Sequence, residues 1–173
     1  MPTLHTLLEE VFSDADIHPN DVPRLELYMD QVLALFDEAL TDNKRTPEDK
    51  LLTKTMVHNY SKEGLLMPVK GKKYTRQHIM QLLCVYHLKQ TLALSDVKAL
   101  TGRSDVDFEA CYARLLRAKE QMRDLIPPLL LEHLPGDSPD SDERLALCLI
   151  LSEISTYMRR LCEQLIDGTD DAN

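Results

Sequence analysis

The residues best suited to chemistry in this chain are the basic side chains between Lys44 and Arg76. That stretch holds nine basic and three acidic residues, an excess of six positive charges, so the rest of the chain carries −15 to give the net charge of −9. A basic region within an acidic protein is typical of electrostatic recognition of phosphate groups. A chance cluster of charges on a solvated face has the same composition, so charge alone does not separate the two interpretations.

Metal chemistry has one weak candidate pair in the sequence. Cys84 and His87 lie three residues apart on a predicted helix, but a zinc site needs further ligands, and none stands nearby at a useful spacing. The four cysteines, Cys84, Cys111, Cys148 and Cys162, are widely separated and form no C-x-x-C pair. We therefore expect reduced cysteines in the core, with no bound metal and no cofactor.

Catalysis and membrane insertion have no support in the sequence. There is no phosphate-binding glycine loop, no nucleophile elbow and no H-E-x-x-H motif, so we expect a protein that is not an enzyme. The longest apolar run, from Leu145 to Leu151, is far too short to span a bilayer, and no cleavable signal precedes Leu4. The sequence predicts a cytoplasmic protein.

The elements that must position the basic residues are mainly helices. Apolar periodicity and capping residues predict helices over residues 3–12, 23–40, 75–92, 95–102, 104–126 and 141–166. A short helix is expected to begin at Thr46, and another at Thr53 or Thr55. Pro68 and Gly71 interrupt residues 65–74, where we expect a small hairpin. The fold class is therefore all-α, with at most one tiny β-hairpin.

A helix that reads DNA needs polar side chains on its outer face and apolar packing behind it. Residues 53–62 fit this description. The packing face is assigned to Leu51, Leu52, Met56 and Tyr60, and the outer face to Lys54, Thr55, His58, Asn59 and Lys62. Lys70, Lys72 and Lys73 in the following loop are expected to contact phosphates, which position a protein without reading sequence. Tyr74 and Arg76, at the end of the basic stretch, are included among the DNA-contact candidates.

The residues of this region also carry a family resemblance. Residues 56–68, followed by Tyr74, resemble the recognition helix and wing of the MerR-type regulators, and residues 94–100 are similar to the segment after the wing helix in that group. Over residues 23–102 the chain more closely resembles the bacterial domain-of-unknown-function family 1836. The residues that carry this closer resemblance are 27–32, 52–60 and 72–74.

The resemblance implies a MerR-like winged helix-turn-helix at residues 23–103, with a wing over residues 65–74. It places His58 and Asn59 on the recognition helix, Lys70 and Lys72 in the wing and Tyr74 at the aromatic wing position. MerR-type proteins usually carry Arg and Tyr where His58 and Asn59 stand. Residues 41–52 also form a longer turn than the usual three or four residues. The first departure implies a different DNA sequence and geometry, and the longer turn counts against a standard helix-turn-helix.

The C-terminal region, residues 104–167, is predicted to form a helical hairpin. Apolar residues of its last helix recur at spacings of four, three, four, three and four, which is a coiled-coil seam: Leu147, Leu151, Ile154, Met158, Leu161 and Leu165. We expect this seam to form a homodimer, and the alternative is that it completes the core of the monomer. The other segments are an N-terminal helix and connector (1–22), a loop (134–140) and a frayed tail (168–173).

These patterns together predict a sequence-specific transcriptional regulator that binds double-stranded DNA as a homodimer. It would make no membrane contact and would respond to an unidentified small-molecule or protein effector. The alternative is a non-enzymatic protein-interaction module on a helix-turn-helix scaffold, because a fold does not fix a function.

Overall fold

The computed structural model describes residues 2–134 and 140–168, and the chain is divided into two compact units. One unit is Ala15–Leu116, and the other combines Met1–Asp14 with Arg117–Asn173. Most of the predicted loop 134–140 and of the predicted tail 168–173 lies outside the described residues. Within the described residues there are seven α-helices and one two-stranded sheet, which confirms the mainly helical fold. No helix among them is long and apolar enough to cross a membrane.

The unit of residues 15–116 contains most of the short elements. Along the chain these are a 3₁₀ turn at Pro19–Asp21, β1 (Leu27–Tyr28), α2 (Met29–Ala39), a 3₁₀ turn at Thr41–Asn43, α3 (Lys54–Lys62), β2 (Lys73–Tyr74), α4 (Arg76–Leu88), α5 (Leu94–Thr101) and the first turns of α6 (Phe108–His133). The other unit contains α1 (Leu4–Val11), the rest of α6 and α7 (Ser141–Asp167).

Helix α4 is the centre of the larger unit because most of its residues are buried. Ile79, Leu82, Leu83 and Val85 are all completely buried. A helix that is apolar on several sides must be enclosed by other elements. Val32 and Phe36 of α2, Val57 of α3 and Val97 of α5 are also buried in this core. The short helix that carries the candidate DNA-contact residues is therefore held on a rigid support.

The sheet differs from the predicted hairpin within residues 65–74, which does not form. β2 instead pairs antiparallel with β1, with Leu27 opposite Tyr74 and Tyr28 opposite Lys73. Pro68 lacks an N–H for a local ladder, so the pairing partner comes from a distant segment. Because β1 occupies residues 27–28, α2 begins at Met29, and the helix predicted from Pro23 is wrong over its first six residues.

The short helix predicted at Thr46 is replaced by a hydrogen-bonded turn. The Asp49 N–H donates to the Thr46 carbonyl at 3.0 Å, and the Asp49 carboxylate accepts from the N–H groups of Arg45 and Thr46, both at 3.0 Å. The hydrogen bonds from Thr46 and Arg45 lower the pKa of Asp49. A side chain that binds nearby backbone donors favours a turn over a helix, and so few residues cannot nucleate a stable helix.

Helix α6 runs through two consecutive prolines, where the sequence predicted its end. Pro127 and Pro128 lie inside the helix, and beyond them the Leu134 N–H still donates to the Leu130 carbonyl at 2.8 Å. Each proline removes one backbone donor, but its ring holds φ near the helical value. A long helix already formed before the prolines can therefore continue past two missing hydrogen bonds.

Asp14 joins the N-terminal segment to α6 within the smaller unit. Lys119 Nζ lies 2.5 Å from Asp14 Oδ2, and Arg123 Nη2 donates to Asp14 Oδ1 at 2.9 Å and to its carbonyl at 2.6 Å. Burial alone would raise the pKa of Asp14, but the hydrogen bonds from Lys119 and Arg123 outweigh it and hold the pKa below its usual value.

Candidate nucleic-acid interface

Helix α3 is fixed by its cap and by two buried side chains. Thr53 Oγ1 accepts a hydrogen bond from the Met56 N–H at 3.2 Å, which satisfies one of the free donors at the helix start. Val57 and Tyr60 are buried beneath the helix. Tyr60 was predicted to pack inward, and this is confirmed, whereas Val57 was not identified from the sequence. The helix predicted at residues 53–62 is present as Lys54–Lys62.

The outer face of α3 carries the five polar side chains predicted for it. Lys54, Thr55, His58, Asn59 and Lys62 are all exposed. Lys54 Nζ lies 3.4 Å from Asp30 Oδ1, but both side chains are more than half exposed, so this pair contributes little to stability. The five residues form a continuous polar surface on a helix whose opposite side is locked into the core.

The loop after α3 is anchored by two side chains of α4. Gln81 is buried, and its Nε2 donates to the carbonyls of Leu65 at 2.9 Å and Thr101 at 2.8 Å, while its Oε1 accepts from the Met67 N–H at 2.9 Å. His78 Nδ1 accepts from the Thr75 N–H at 3.2 Å, so His78 Nε2 carries the proton donated to the Pro68 carbonyl at 3.3 Å. Both ends of the loop are therefore fixed.

A tight turn presents the lysines of this loop. The Lys73 N–H donates to the Lys70 carbonyl at 3.3 Å, and φ is +62° at Gly71 and +60° at Lys72. Positive φ at both central residues is the geometry of a type I′ turn. Lys70 and Lys72 are exposed, whereas Lys73 is partly buried with Nζ 5.5 Å from the centre of the Tyr28 ring. The turn therefore exposes two lysines to solvent in the loop that follows α3.

Two of the predicted DNA-contact residues have other structural roles. Arg76 Nη1 donates to the Val22 carbonyl and its Nη2 to the Pro19 carbonyl, both at 2.7 Å, and the guanidinium also pairs with Glu109 at 2.8 Å. The hydrogen bond with Glu109 raises the pKa of Arg76, and the three partners together occupy most of its donors. Tyr74 is 5% exposed, with its ring edge-on to His78. We therefore assign both residues to packing.

Lys98 is a basic residue at this site that the sequence did not indicate. A Cβ built on Gly64, which follows α3, would lie 3.6 Å from Lys98 Cε and 3.9 Å from its Nζ. Lys98 is exposed and belongs to α5, thirty-four residues further along the chain. The contact depends on the packing of α5 against the end of α3, and no local pattern in the sequence reports it. Lys98 extends the basic surface around α3.

The cysteines do not form a metal site in the part of the chain that the structure describes. Cys84 Sγ donates to the Phe108 carbonyl at 3.7 Å, and burial raises the pKa of its thiol to about 12. Cys111, Cys148 and Cys162 are exposed, so the expectation that all four cysteines lie in the core is wrong for these three. No group of three potential metal ligands occurs among the described residues.

Residues 17–111 match the model of a protein family described as a domain of unknown function, DUF1836. The chain belongs to this family. The DUF1836 region extends from the first 3₁₀ turn to the first turn of α6, so it includes α3, the loop that carries Lys70 and Lys72, and Lys98. Neither a curated protein nor a solved structure matches the chain.

Proposed function

We propose that the unit of residues 15–116 binds double-stranded DNA and that the protein is a bacterial transcriptional regulator. In this proposal α2 and α3 are the two helices of a MerR-like helix-turn-helix, with α3 in the major groove. Residues 65–74 are the wing beside it. The observation that carries the proposal is the polar outer face of α3, on a helix locked from behind by Val57 and Tyr60.

The side chains on α3 are chemically suited to the groove. Asn59 can form paired hydrogen bonds with an adenine edge, and the ring nitrogens of His58 can contact a base. Lys54 and Lys62 stand at the two ends of the helix, where lysines meet phosphates as flexible point charges. The lysines of the loop and Lys98 would add contacts to the DNA backbone.

The distribution of charge between the two units also supports this assignment. Residues 15–116 contain fourteen basic and fourteen acidic side chains, so this unit is neutral and the whole net charge of −9 belongs to the other segments. The basic residues of the neutral unit are concentrated between Lys44 and Arg76. DNA would therefore be attracted to the exposed lysines of this stretch and repelled by the acidic unit.

The test separates phosphate contacts from base contacts in the full-length protein. Binding is measured by duplex retardation with random genomic fragments at several salt concentrations, and then with the sequences that the protein retains best. Lys72→Glu should weaken binding to all duplexes equally and reduce the salt dependence by roughly 0.9 log–log units per lost phosphate contact. Arg114→Glu makes the same charge change at an exposed position of α6 and is the matched control.

Asn59→Ala tests base reading by α3. It should cost about 1–3 kcal/mol at the preferred sequence and leave the affinity for random DNA unchanged. Equal weakening on both kinds of DNA would show that α3 does not read bases. If Lys72→Glu and Arg114→Glu behave alike, the loop does not contact phosphates.

The alternative, a protein-interaction module on the same scaffold, is favoured by the exposed apolar side chains of α7. Leu145, Leu149 and Leu165 are each more than 60% exposed. A module of this kind would not retain any duplex, even at low salt, where non-specific DNA binding is strongest.

A further inference from the structure

A cleft of about 290 Å³ lies between the segment that precedes α3 and the end of α4. Its lining comes from residues 43–45 and 49–51 on one side and from Tyr86, Lys89 and Gln90 on the other. All of these residues belong to the unit of residues 15–116. The cleft has the volume of roughly ten water molecules, which is room for a small ligand and too little for a protein helix.

The polar side chains of the segment before α3 hold this side of the cleft in place. Asn43 Oδ1 accepts from the Ala15 N–H at 2.7 Å, and its Nδ2 donates to the Ala15 carbonyl at 2.9 Å. Lys44 Nζ lies 2.6 Å from Asp37 Oδ1, with the lysine side chain only 10% exposed. Asp49 binds the backbone of the turn, as described above. A site that is fixed in this way loses little conformational entropy when a ligand binds.

The end of α4 supplies a lysine whose charge is not needed by the helix. The last four carbonyls of a helix lack intrahelical partners, and a lysine close to them often serves as their partner. In α4 the carbonyls of residues 85–88 all accept hydrogen bonds of 2.9–3.2 Å from later backbone N–H groups and from the Gln90 side chain. The ammonium group of Lys89 is therefore available to the cleft, where the side chain is partly buried.

Three cations of the lining remain when these interactions are taken into account. No ion pair within the described residues involves Arg45, Lys50 or Lys89. Lys44 is balanced by Asp37, so Asp49 is the negative charge that offsets the three, and the lining has an excess of two positive charges. A cleft lined by charges of one sign concentrates its electric field and attracts counter-ions. This arrangement favours a ligand with about two negative charges.

We propose that this cleft binds a small phosphate ester, with Lys50 and Lys89 on the phosphate oxygens and Arg45 at the margin. A phosphate monoester carries a charge of about −1.5 to −2 at pH 7, which matches the excess on the lining. The buried ring of Tyr86 and the partly buried Leu51 offer apolar surface to the carbon skeleton of the ester. This site uses other side chains than α3 and the loop after it, so the proposal does not depend on DNA binding.

A concave site distinguishes a small ester from the phosphates of a duplex. The backbone of DNA is a convex surface that long, projecting side chains reach, as Lys70 and Lys72 would do from their turn. Lys89 instead lies partly buried at the end of a core helix. The recessed position of this charge favours a ligand small enough to enter the cleft.

Titration of the full-length protein with glycerol 3-phosphate tests the proposal. Backbone amide signals are followed by NMR, and sodium chloride keeps the ionic strength constant. Saturable shifts should concentrate in residues 43–51 and 86–90, with a dissociation constant below about 1 mM. Glycerol is the matched uncharged control and should cause no shift there. If neither glycerol 3-phosphate nor inorganic phosphate gives saturable shifts in these residues, the proposal is wrong.

Single charge-removing variants identify the groups that hold the phosphate. Lys50→Gln and Lys89→Gln should each weaken binding about ten-fold or more, because each loses a charge-assisted hydrogen bond. Arg24→Gln removes the same charge from an exposed position of the same unit and should keep the wild-type affinity. Circular dichroism confirms that the variants are folded. Equal affinities for all three variants would show that general positive charge, and not this cleft, attracts the ester.

Competition with a short DNA duplex separates this site from the proposed DNA surface. We expect the affinity for glycerol 3-phosphate to be unchanged when the duplex is present. If the duplex displaces the ester and shifts the same amide signals, the cleft is part of the DNA surface and the proposal is overturned. If the protein binds no duplex, the proposed DNA-binding function fails, and the titration with glycerol 3-phosphate still decides the role of the cleft.

Discussion

Replacement of Gln81 by leucine should destabilise the larger unit more than any surface change on the same helix. The side chain is 1% exposed and pairs with three backbone groups: the carbonyls of Leu65 and Thr101 and the N–H of Met67. Leucine has a similar size but can pair with none of them. Leaving a buried polar group without a partner costs about 1–3 kcal/mol each.

The expected magnitude follows from these three groups. Their combined cost is about 3–9 kcal/mol, and burial of the additional apolar surface of leucine returns roughly 1–2 kcal/mol. Since large losses are usually reduced by local relaxation, we expect Gln81→Leu to lower the free energy of unfolding by about 3–5 kcal/mol. Urea unfolding followed by circular dichroism measures the change, because the transition midpoint shifts at constant slope.

Gln77→Leu is the matched control, because Gln77 is exposed on the same helix and should change stability by less than about 0.5 kcal/mol. Gln81→Glu provides a second, independent signature. Its carboxylate would face two carbonyl oxygens, so burial and repulsion would raise its folded-state pKa above the unfolded value of about 4.3. The folded state would then bind more protons than the unfolded state, and the free energy of unfolding would fall as the pH rises from the unfolded pKa through the folded-state pKa. A loss below about 1 kcal/mol for Gln81→Leu would refute the reasoning.

Three further changes test separate features of the structure. Lys72→Gly should raise the free energy of unfolding by about 0.5–1 kcal/mol in thermal melts, because it relieves a positive φ, and should nevertheless weaken DNA binding; unchanged stability would exclude strain at this turn. Gly102→Ala should destabilise by about 1–3 kcal/mol in urea, because the new Cβ would lie 2.8 Å from the Lys98 carbonyl oxygen and 2.9 Å from that of Gly64; a neutral result would contradict this close approach. The stabilisation from Asp14 should be complete above its usual pKa of 3.8 and be lost as the pH falls through the lowered pKa of the folded state. Asp14→Asn should therefore reduce the loss of stability at acidic pH. If this loss is unchanged, other carboxyl groups cause it.

Local signals predicted the helices well where a cap or a stop residue was present. Thr53 and Thr75 begin α3 and α4 as their sequence context indicated, and Gly168 ends α7. The outward face of α3 followed from the helical period alone, because an exposed surface needs no knowledge of distant residues. These features depend on residues within one or two turns of each other.

Features that depend on distant residues were not predictable in the same way. β1 pairs with β2 across more than forty residues, and neither strand exceeds two residues, too few to show an alternating pattern. Arg76 looked like a phosphate contact because it ends a basic stretch, but Glu109 and two carbonyls from the segment before β1 occupy it. Lys98 entered the candidate interface only through the packing of α5 against the end of α3.

The close approach of Gly64 and Gly102 also has an evolutionary consequence. Gly64 has φ of +78°, and its carbonyl oxygen lies where a side chain on Gly102 would begin. A substitution at Gly102 is therefore constrained by the path of the chain at Gly64, although thirty-eight residues separate them. Among DUF1836 sequences, a larger residue at the position of Gly102 should appear only together with a changed chain path after α3. The two positions should therefore vary together.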